Sequence, residues 1–269
     1  MKAIYEPKGM ALEYSPRACN LYRGCTHGCT YCYAPSATYR KRSEFHAEAT
    51  PRSGIIEAIK VEAPKLSRDK RVLLCFTCDP YQPCDDEHKL TQQAIKIFVD
   101  NGIPFQILTK GGMRAARDFD LYARGDGVFA STVSFLDDKD RAEWEPNAAP
   151  IAERLEALQA AYALGIPTWV SIEPVIDTRQ ALAIIERVTP FASEIKVGKL
   201  NHHPLAKTIN WSQFAIAAYD ALKATGRAYL IKDALAAYLP TGKQAQWPIP
   251  EPQNIEKPGS NVQTTLMLG

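Results

Sequence analysis

Apolar runs of strand length alternate with helix-like stretches, and this alternation limits the possible fold more than any other feature of the sequence. The apolar runs lie at residues 71–76, 103–109, 127–135, 166–174 and 193–200. The helix-like stretches lie at residues 55–66, 88–102, 113–123, 149–165, 178–188 and 211–226. Strands that alternate with helices form βαβ units, in which the strands are parallel. The sequence therefore predicts an α/β fold around one parallel sheet.

The number of strands narrows the choice of fold. A strand near residues 17–23 and a short one at 228–232 bring the expected total to six or seven. A closed barrel of eight β/α units usually needs a longer chain than the residues outside these elements provide. The remaining choices are an incomplete (β/α) barrel and an open doubly wound sheet. In either fold, the reactive groups lie at the carboxyl ends of the strands.

Composition is that of an ordinary folded protein. Of the 269 residues, 46% are hydrophobic and 23% are charged, with a net charge of +2, which excludes a largely disordered or low-complexity chain. We expect a core domain over residues 1–239 and an irregular tail over residues 240–269, which are rich in Pro, Gly and polar residues. No segment approaches the roughly 18 apolar residues of a membrane span. The start lacks the apolar region of a signal peptide, so we expect a cytoplasmic protein without a membrane partner.

The seven cysteines are unevenly placed, with four in the first 32 residues. Three of these, Cys25, Cys29 and Cys32, form a Cys-x3-Cys-x2-Cys pattern in a glycine-containing loop. In a reducing compartment, cysteines so close together are metal ligands more often than disulfides. A structural zinc site and a conventional ferredoxin cluster each want four ligands, and Cys19 lacks the spacing of a zinc knuckle. A cluster held by only three cysteines leaves one iron open for another ligand.

The segment CTHGCTYC, residues 25–32, resembles the cysteine signature of the radical S-adenosylmethionine (radical SAM) superfamily, including the aromatic Tyr31 before the last cysteine. The resemblance implies an incomplete (β/α)6-type TIM barrel. It also implies that Cys25, Cys29 and Cys32 hold a 4Fe–4S cluster whose fourth iron binds S-adenosylmethionine (AdoMet). An electron from a flavodoxin- or ferredoxin-like reductant would cleave AdoMet to methionine and a 5′-deoxyadenosyl radical, which abstracts a hydrogen atom from the substrate.

Two longer segments are similar to one branch of this superfamily. Residues 13–35, EYSPRACNLYRGCTHGCTYCYAP, look like the branch that contains spore photoproduct lyase and DNA repair photolyase-like proteins. Residues 75–91 carry the Thr-x-Asp-Pro-Tyr-Gln-Pro pattern that follows the second strand there. This resemblance implies a lyase-like reaction in DNA lesion repair or nucleic-acid base modification. It makes Thr77 and Asp79 candidate ligands of AdoMet, although Asp-Pro alone is equally typical of a turn.

Later strand ends supply further candidate contacts to AdoMet. Counting the strand near residues 17–23 as the first, Thr109 and Lys110 end the third predicted strand, and a lysine suits the carboxylate of AdoMet. Ser134 ends the fourth predicted strand and Glu173 the fifth, where a hydroxyl and a carboxylate suit the ribose. Polar residues in and after the sixth predicted strand could line the same pocket or could belong to a solvated rim: Lys196, Lys199, Asn201, His202 and His203.

Four residues are catalytic candidates by comparison with spore photoproduct lyase. That enzyme has tyrosines linked to radical transfer where this chain has Tyr31 and Tyr33. It also has a hydrogen-donating cysteine at a position that is Phe76 here, with Cys75 and Cys78 on either side. Because a strand alternates its faces, Cys75 and Phe76 cannot both face the barrel interior, whereas Cys78 lies past the strand and could reach it. Because Phe76 stands where that enzyme has its hydrogen-donating cysteine, the sequence argues against the dimer-splitting activity of spore photoproduct lyase.

Basic and aromatic side chains interleave around the cysteine loop. The group consists of Arg17, Tyr22, Arg23, Tyr31, Tyr33, Tyr39, Arg40, Lys41, Arg42, Phe45 and Arg52. Such residues suit phosphate contacts and base stacking, and a solvated basic face would look the same in sequence. We therefore predict a radical SAM enzyme for which nucleic acid is one candidate substrate. A radical SAM enzyme acting on a peptide or small molecule, and a metal-stabilised binding protein without catalysis, remain alternatives.

Overall fold

The computed structural model describes residues 2–247, and its elements alternate as the sequence predicts. The strands are β1 (Ile4–Tyr5), β2 (Arg17–Cys19), β3 (Tyr22–Arg23), β4 (Thr50–Pro51), β5 (Val72–Leu74), β6 (Phe105–Thr109), β7 (Gly127–Thr132), β8 (Thr168–Val175), β9 (Glu194–Lys199), β10 (Ala228–Ile231) and β11 (Gln246–Trp247). The α-helices are α1 (Ala34–Ala37), α2 (Arg42–Ala47), α3 (Ile55–Glu62), α4 (Asp85–His88), α5 (Leu90–Asn101), α6 (Phe119–Arg124), α7 (Asp138–Trp144), α8 (Ile151–Ala163), α9 (Thr178–Val188), α10 (Trp211–Ala224) and α11 (Asp233–Ala236).

One sheet contains the main strands, in the order β1-β2-β5-β6-β7-β8-β9-β10-β11. The strands from β2 to β10 in this order are parallel, with Cys19 opposite Leu74 and Leu74 opposite Ile107. β1 and β11 are antiparallel to their neighbours and form the two edges. Among residues 2–247 the parallel strands lie side by side in chain order, without the reversal of a doubly wound sheet, and the sheet ends in two edge strands. The fold is therefore an open barrel, which confirms the predicted incomplete (β/α) barrel.

The helices pack on the outer face of the sheet, as their apolar periodicity requires. In α9 the buried residues are Ala181, Ile184, Ile185 and Val188, which share one helical face. Helix α5 ends at Asn101, and the predicted terminating residue Gly102 caps it, with a φ of 64° in the left-handed region that glycine adopts at little cost. These contacts form the larger apolar core.

The inner face of the sheet carries a smaller core. Val128, Ala130 and Trp169 are buried there, with Tyr14 and Leu108 packed against them. Tyr14 precedes β2, and the centroid of its ring lies 5.8 Å from that of Trp169. The segment before the first barrel strand therefore places an aromatic side chain on the inner face.

Strand β5 is shorter than predicted, because the chain leaves the sheet after Leu74. The backbone N–H groups of Phe76 and Thr77 donate to the Asn20 side-chain oxygen, at 2.8 Å and 2.9 Å, instead of to a neighbouring strand. Cys75 therefore lies beyond the strand.

Two other predicted elements are divided. The predicted strand over residues 17–23 becomes β2 and β3, because β3 leaves the main sheet and pairs with β4. The predicted helix over residues 88–102 is interrupted at Lys89, whose φ is 49°.

The first part of the predicted tail, residues 240–269, contributes a strand to the sheet. Within it, β11 pairs with β10, with Gln246 opposite Leu230. Residues 248–269 lie outside the described residues.

Within residues 2–247, the helices are all too short or too polar to cross a membrane.

Candidate active site at the cysteine loop

The cysteine loop follows β3 and carries three free thiols. Cys25 and Cys32 are half-buried, and Cys29 is 7% exposed. Gly24 begins the loop with a φ of 84°, and a Cβ on it would lie 2.2 Å from the carbonyl oxygen of Glu48. A side chain cannot be accommodated there, so the entry into the loop depends on this glycine.

Helix α2 holds the loop through its backbone carbonyl oxygens. Arg42 donates from Nη1 to the carbonyl of Cys29 at 2.9 Å and from Nη2 to that of Cys32 at 2.7 Å. His46 Nδ1 lies 2.8 Å from the carbonyl oxygen of Cys25. These contacts fix the backbone at each of the three cysteines.

A second segment, residues 144–149, borders the loop on another side, and we call it the brace. The carbonyl of Trp144 accepts from the N–H of Thr30 at 2.9 Å, and the N–H of Asn147 donates to the carbonyl of His27 at 3.1 Å. The brace carries no motif, and sequence reasoning missed it. The signal available was only a proline-containing loop between two helices.

A buried carboxylate in the brace binds the aromatic residue of the cysteine motif. Glu145 has no exposed surface and accepts a hydrogen bond from the Tyr31 hydroxyl. Its Oε2 lies 2.5 Å from Nη1 of Arg154, which is also fully buried. Burial raises the pKa of Glu145, but Arg154 and Lys110 lower it by more, so the pKa lies below its usual value and the carboxylate stays ionised.

Lys110 supplies a positive charge beside the thiols. Its ammonium lies 5.6 Å from the centroid of the Tyr31 ring. Burial lowers the pKa of Lys110, but Cys29 and Glu145 raise it by more, so the lysine stays charged. Burial raises the pKa of Cys29 to about 12 and that of Cys32 in the same direction, and Lys110 opposes both shifts. Because thiols bind metals as thiolates, this cation favours the form that a metal needs.

Asp79 organises the strand ends around the loop. Its Oδ1 accepts from the N–H of Tyr81 at 2.9 Å and from the Thr109 hydroxyl at 2.6 Å. Its Oδ2 accepts from the N–H of Lys110 at 2.7 Å and lies 3.5 Å from Nδ1 of His27. Both oxygens of Asp79 are thus engaged within the protein. The predicted contacts of Asp79 and Thr109 with AdoMet stay predictions.

Gln82, in the same sequence pattern, ties this segment to the cysteine loop. It has no exposed surface, and its Oε1 accepts from the N–H of Thr26 at 3.1 Å. Its Nε2 donates to the carbonyl of Gly24 at 3.4 Å. The Thr-x-Asp-Pro-Tyr-Gln-Pro pattern therefore positions the loop through Asp79 and Gln82. Its first residue, Thr77, is half-buried.

Several buried polar atoms lack a hydrogen-bond partner within the described part of the chain. Those at this end of the barrel include Oγ1 of Thr26, Nε2 of His27 and Oγ of Ser134. Burial lowers the pKa of His27 to about 4, so its imidazole is neutral. Buried polar groups are nearly always paired, and unpaired ones on a loop and a strand end are typical of a site that a ligand completes.

The family model of the Radical SAM superfamily matches residues 19–180 of this chain, which is more than half of its length. The chain belongs to the radical SAM superfamily. This confirms the resemblance found in the cysteine motif and the prediction of a radical SAM enzyme at the level of the family.

Curated relatives cover part of the chain. An uncharacterised protein of Methanocaldococcus jannaschii is 27% identical over 180 residues, which are 65% of this chain and 66% of the relative. An uncharacterised protein of Mycobacterium bovis is 28% identical over 58% of this chain and 48% of its own length. The radical SAM Nα-GlyT isomerase of Pseudomonas phage M6 is 24% identical over 56% of this chain and 31% of its own length. The chain thus matches between about a third and two thirds of the length of these relatives.

Solved structures share the fold. Spore photoproduct lyase complexed with dinucleoside spore photoproduct has a TM-score of 0.62 at 14% identity, over 82% of this chain and 76% of that chain. SuiB of Streptococcus suis bound to S-adenosylmethionine has a TM-score of 0.57 at 9% identity, over 79% of this chain and 45% of that chain. The incomplete barrel of this chain is therefore a radical SAM fold.

The group that this family implies is a 4Fe–4S cluster, and the loop residues fit it. Thiolates are the ligands of such clusters, and Cys25, Cys29 and Cys32 are free thiols on one loop. Lys110 and the unpartnered buried atoms complete the surroundings. Among residues 2–247, no three His, Cys, Asp or Glu side chains are grouped closely enough to hold a single metal ion.

Glu173 lies on the inner face of the barrel, in a cluster of charges. Its carboxylate accepts from the Tyr14 hydroxyl and from Nζ of Lys232, the latter at 2.8 Å. Nζ of Lys232 also lies 3.3 Å from Oε2 of Glu13. A Cβ on Gly198 would lie 2.5 Å from Cδ of Glu173, so this glycine makes room for the carboxylate. The predicted ribose contact of Glu173 stays a prediction.

The remaining catalytic candidates, Tyr33, Cys75 and Cys78, differ in exposure. Tyr33 is 54% exposed, and its hydroxyl donates to the carbonyl of Phe76 at 2.7 Å. The Phe76 ring packs edge-on against Tyr14, with centroids 6.1 Å apart, so it faces the inner side. Cys75 and Cys78 are buried in the larger core. Phe76, and not a cysteine, thus lies against the inner-face residue Tyr14.

The basic and aromatic group around the loop is divided by the structure. Several members are buried or bound to backbone carbonyls, which makes them structural: Arg17, Tyr22, Arg42, Phe45 and Arg52. Arg23, Tyr39 and Lys41 are exposed, and Tyr39 has 98% of its surface exposed. The surface that remains for phosphate contacts or stacking is smaller than the sequence indicates.

Proposed function

We propose that this chain is a radical SAM enzyme in which Cys25, Cys29 and Cys32 hold a 4Fe–4S cluster and AdoMet is the cosubstrate. The observation that carries the proposal is the cysteine loop itself, whose backbone is fixed at each cysteine and which lies beside a charged lysine. Cys19, the nearest other cysteine in sequence, is fully buried in the larger core, which supports a three-thiol site.

The bound cluster would supply the electron that cleaves AdoMet to methionine and a 5′-deoxyadenosyl radical. The electron would come from a flavodoxin- or ferredoxin-like reductant in the cytoplasm. Within the chain, Lys110 places positive charge beside the thiolates and is available to the carboxylate of AdoMet. Asp79 fixes the backbone at Lys110, and Ser134 presents an unpartnered hydroxyl to the same end of the barrel.

The substrate class that we propose is a base of a nucleic-acid strand. The likeness to spore photoproduct lyase, solved with a dinucleoside spore photoproduct, supports this choice. So do the exposed aromatic and basic residues beside the cysteine loop, Tyr39, Arg23 and Lys41, because bases stack on aromatic rings and phosphates pair with cations.

Anaerobic reconstitution with iron and sulfide tests the cluster. We expect the wild type to bind about four irons and four sulfides per chain. It should also form 5′-deoxyadenosine from AdoMet and dithionite, measured by chromatography. Cys29→Ala should lose both properties. Cys84→Ala removes a half-buried thiol from the start of α4 and should keep both. A wild-type protein that binds zinc and lacks iron–sulfur absorbance would refute the proposal that this chain is a radical SAM enzyme.

A substrate test uses the reconstituted enzyme with unlabelled AdoMet and substrates that carry deuterium on carbon. Candidate substrates are a deuterated thymine-containing oligonucleotide with and without ultraviolet damage, and a deuterated peptide mixture as the alternative. Because the 5′-deoxyadenosyl radical takes a hydrogen atom from the substrate, the expected result is deuterium from the nucleic acid in 5′-deoxyadenosine or in regenerated AdoMet, read by mass spectrometry. Transfer from the peptides alone would contradict the nucleic-acid proposal and leave the radical chemistry in place.

A further inference from the structure

A groove with a volume of about 560 Å³ opens where β9 ends and α10 begins. Its polar and aromatic lining consists of Lys199, Lys207, Asn210, Trp211, Ser212 and Tyr238. The lining contains two lysines and no acidic side chain. The groove therefore carries positive charge that its own walls do not neutralise.

Lys199 is held in this groove by aromatic rings. Its Nζ lies 4.8 Å from the ring centroid of Tyr238 and 5.2 Å from that of Trp211, and it is 3.2 Å from the Tyr238 hydroxyl. Such contacts orient an ammonium without neutralising its charge. Between residues 2 and 247, no carboxylate lies within ion-pair distance of Lys199 or Lys207.

The inner-face lysines behave differently, although they belong to the same part of the sheet. Lys196, three residues before Lys199 on β9, lies 3.4 Å from Oε2 of Glu194. Lys232, after β10, is paired with Glu173 and Glu13. Of these four lysines, Lys199 and Lys207 are therefore the two without an ion pair to any described residue.

The start of α10 adds to the positive potential. This helix has 14 residues, and the Asn210 side chain caps it by accepting from the N–H of Gln213 at 3.1 Å. A helix N-terminus carries partial positive charge and favours anions. The Trp211 indole donates to the carbonyl of Ala206 at 2.7 Å, which fixes one wall of the groove. The groove is therefore formed before any ligand binds.

The groove lies on the same rim of the barrel as the cysteine loop. Lys199 is the last residue of β9, so the groove is at the carboxyl end of the strands. The segment after it reaches the brace, because the ring centroids of His203 and Trp144 are 5.1 Å apart. The carbonyl of Trp144 in turn accepts from the N–H of Thr30 in the cysteine loop. A chain of contacts thus links the groove to the loop around the rim.

We propose that this groove binds a backbone phosphate of the nucleic-acid strand whose base is placed at the cysteine loop. The inference rests on the proposed function and names a second contact for that substrate. Two ammonium groups and a helix N-terminus match a phosphate, and the ring of Tyr238, 38% exposed, offers a face to a neighbouring base. The strand would cross the mouth of the barrel from the exposed Lys41, whose Nζ lies 3.6 Å from Oε1 of Glu44 at the surface, to Lys199.

The test measures salt-dependent binding of a fluorescent single-stranded oligodeoxynucleotide to the reconstituted holoenzyme. For single strands, each phosphate contact contributes about 0.7 to the slope of log K against log salt. Both lysines contact the same phosphate in this proposal, so we expect Lys199→Gln with Lys207→Gln to lower the magnitude of the slope by about 0.7. Lys96→Gln changes the charge as much as Lys207→Gln alone does, at an exposed position of α5, and should leave the slope unchanged.

Lys207→Gln alone guards against a folding effect, because Lys207 is exposed and its loss should lower the magnitude of the slope by part of that amount. An unchanged slope in both variants, or a wild type that binds no oligonucleotide, would overturn the phosphate site. Binding of an acidic peptide through the same lysines, without oligonucleotide binding, would also overturn it. The formation of 5′-deoxyadenosine by the same preparation is measured separately, so the proposed radical chemistry stands or fails independently.

Discussion

The Tyr31 hydroxyl donates a hydrogen bond to the Glu145 carboxylate, which is ion-paired with Arg154. The aromatic residue of the cysteine motif is thereby joined to a buried pair of charges in the brace and α8. A buried charge without its partner is strongly destabilising, so this pair is sensitive to any change in either member. The position of Tyr31 in the cysteine loop therefore depends on a residue far away in sequence.

Glu145→Gln and Tyr31→Phe should separate the charge pair from the hydrogen bond. Glu145→Gln leaves Arg154 buried without a carboxylate and should lower the free energy of unfolding by about 3 kcal/mol. Tyr31→Phe removes only the hydrogen bond to a charged group and should lower it by about 2 kcal/mol. Urea unfolding of the iron-free protein measures both values. A loss in Tyr31→Phe equal to or greater than that in Glu145→Gln would show that the ion pair is not the dominant interaction.

Asp79→Asn should weaken the contact between the strand ends and the loop. An amide nitrogen cannot accept hydrogen bonds, so the variant loses bonds that one oxygen now accepts, from Thr109 and Tyr81 or from Lys110. We expect the free energy of unfolding to fall by about 2 kcal/mol, and the affinity for AdoMet in equilibrium dialysis to fall with it.

Asp86→Asn is the matched control for Asp79→Asn. Its side chain is 53% exposed and pairs with Arg114 and Arg117 at the surface. Surface ion pairs contribute about 1 kcal/mol or less, so the control should retain AdoMet binding and lose little stability. Equal effects of the two substitutions would contradict the organising role of Asp79.

The sheet and the cysteine loop could be predicted because their signals are local. Strand and helix periodicity repeats within each segment, and the spacing of Cys25, Cys29 and Cys32 lies within eight residues. The brace could not be predicted, because Glu145 meets Tyr31 across 114 residues and no pattern marks either as a partner of the other. Such a contact depends on the tertiary fold.

Burial of charged residues was equally hidden from the sequence. Arg17 and Arg23 both lie near the cysteine loop in sequence, yet Arg17 is 8% exposed and bonded to the carbonyl of Ser67, whereas Arg23 is exposed. Asp79 was recognised from its pattern, but the four groups that surround its carboxylate come from three separate segments of the chain. The chemistry of the side chains identified the candidate residues. Only the fold shows which of their polar groups already have hydrogen-bond or ion-pair partners within the protein.

Gly24→Ala should disrupt the entry into the cysteine loop. Its φ is 84°, and the new Cβ would lie 2.2 Å from the carbonyl oxygen of Glu48, so the backbone would have to move. Gly54→Ala is the control, since Gly54 has a φ of 68° with no atom within 4 Å of the new Cβ. The control should cost about 1 kcal/mol from backbone strain alone. Iron content after reconstitution should fall in Gly24→Ala and remain normal in Gly54→Ala, and equal iron content would contradict the steric argument.

Ser134→Ala should have opposite effects on the stability of the ligand-free protein and on ligand binding. The Ser134 hydroxyl is buried, and none of the residues from 2 to 247 offers it a hydrogen bond. Burying an unpaired hydroxyl is unfavourable, so its removal should raise the free energy of unfolding of the ligand-free protein by about 1 kcal/mol. If AdoMet satisfies this hydroxyl, the same variant should bind AdoMet several-fold more weakly.

Ser131→Ala is the control, because the Ser131 hydroxyl is also buried but donates to the carbonyl of Thr109 at 3.1 Å. That variant should lose stability instead, and a destabilised Ser134→Ala with unchanged AdoMet affinity would show that Ser134 is not part of the cofactor site.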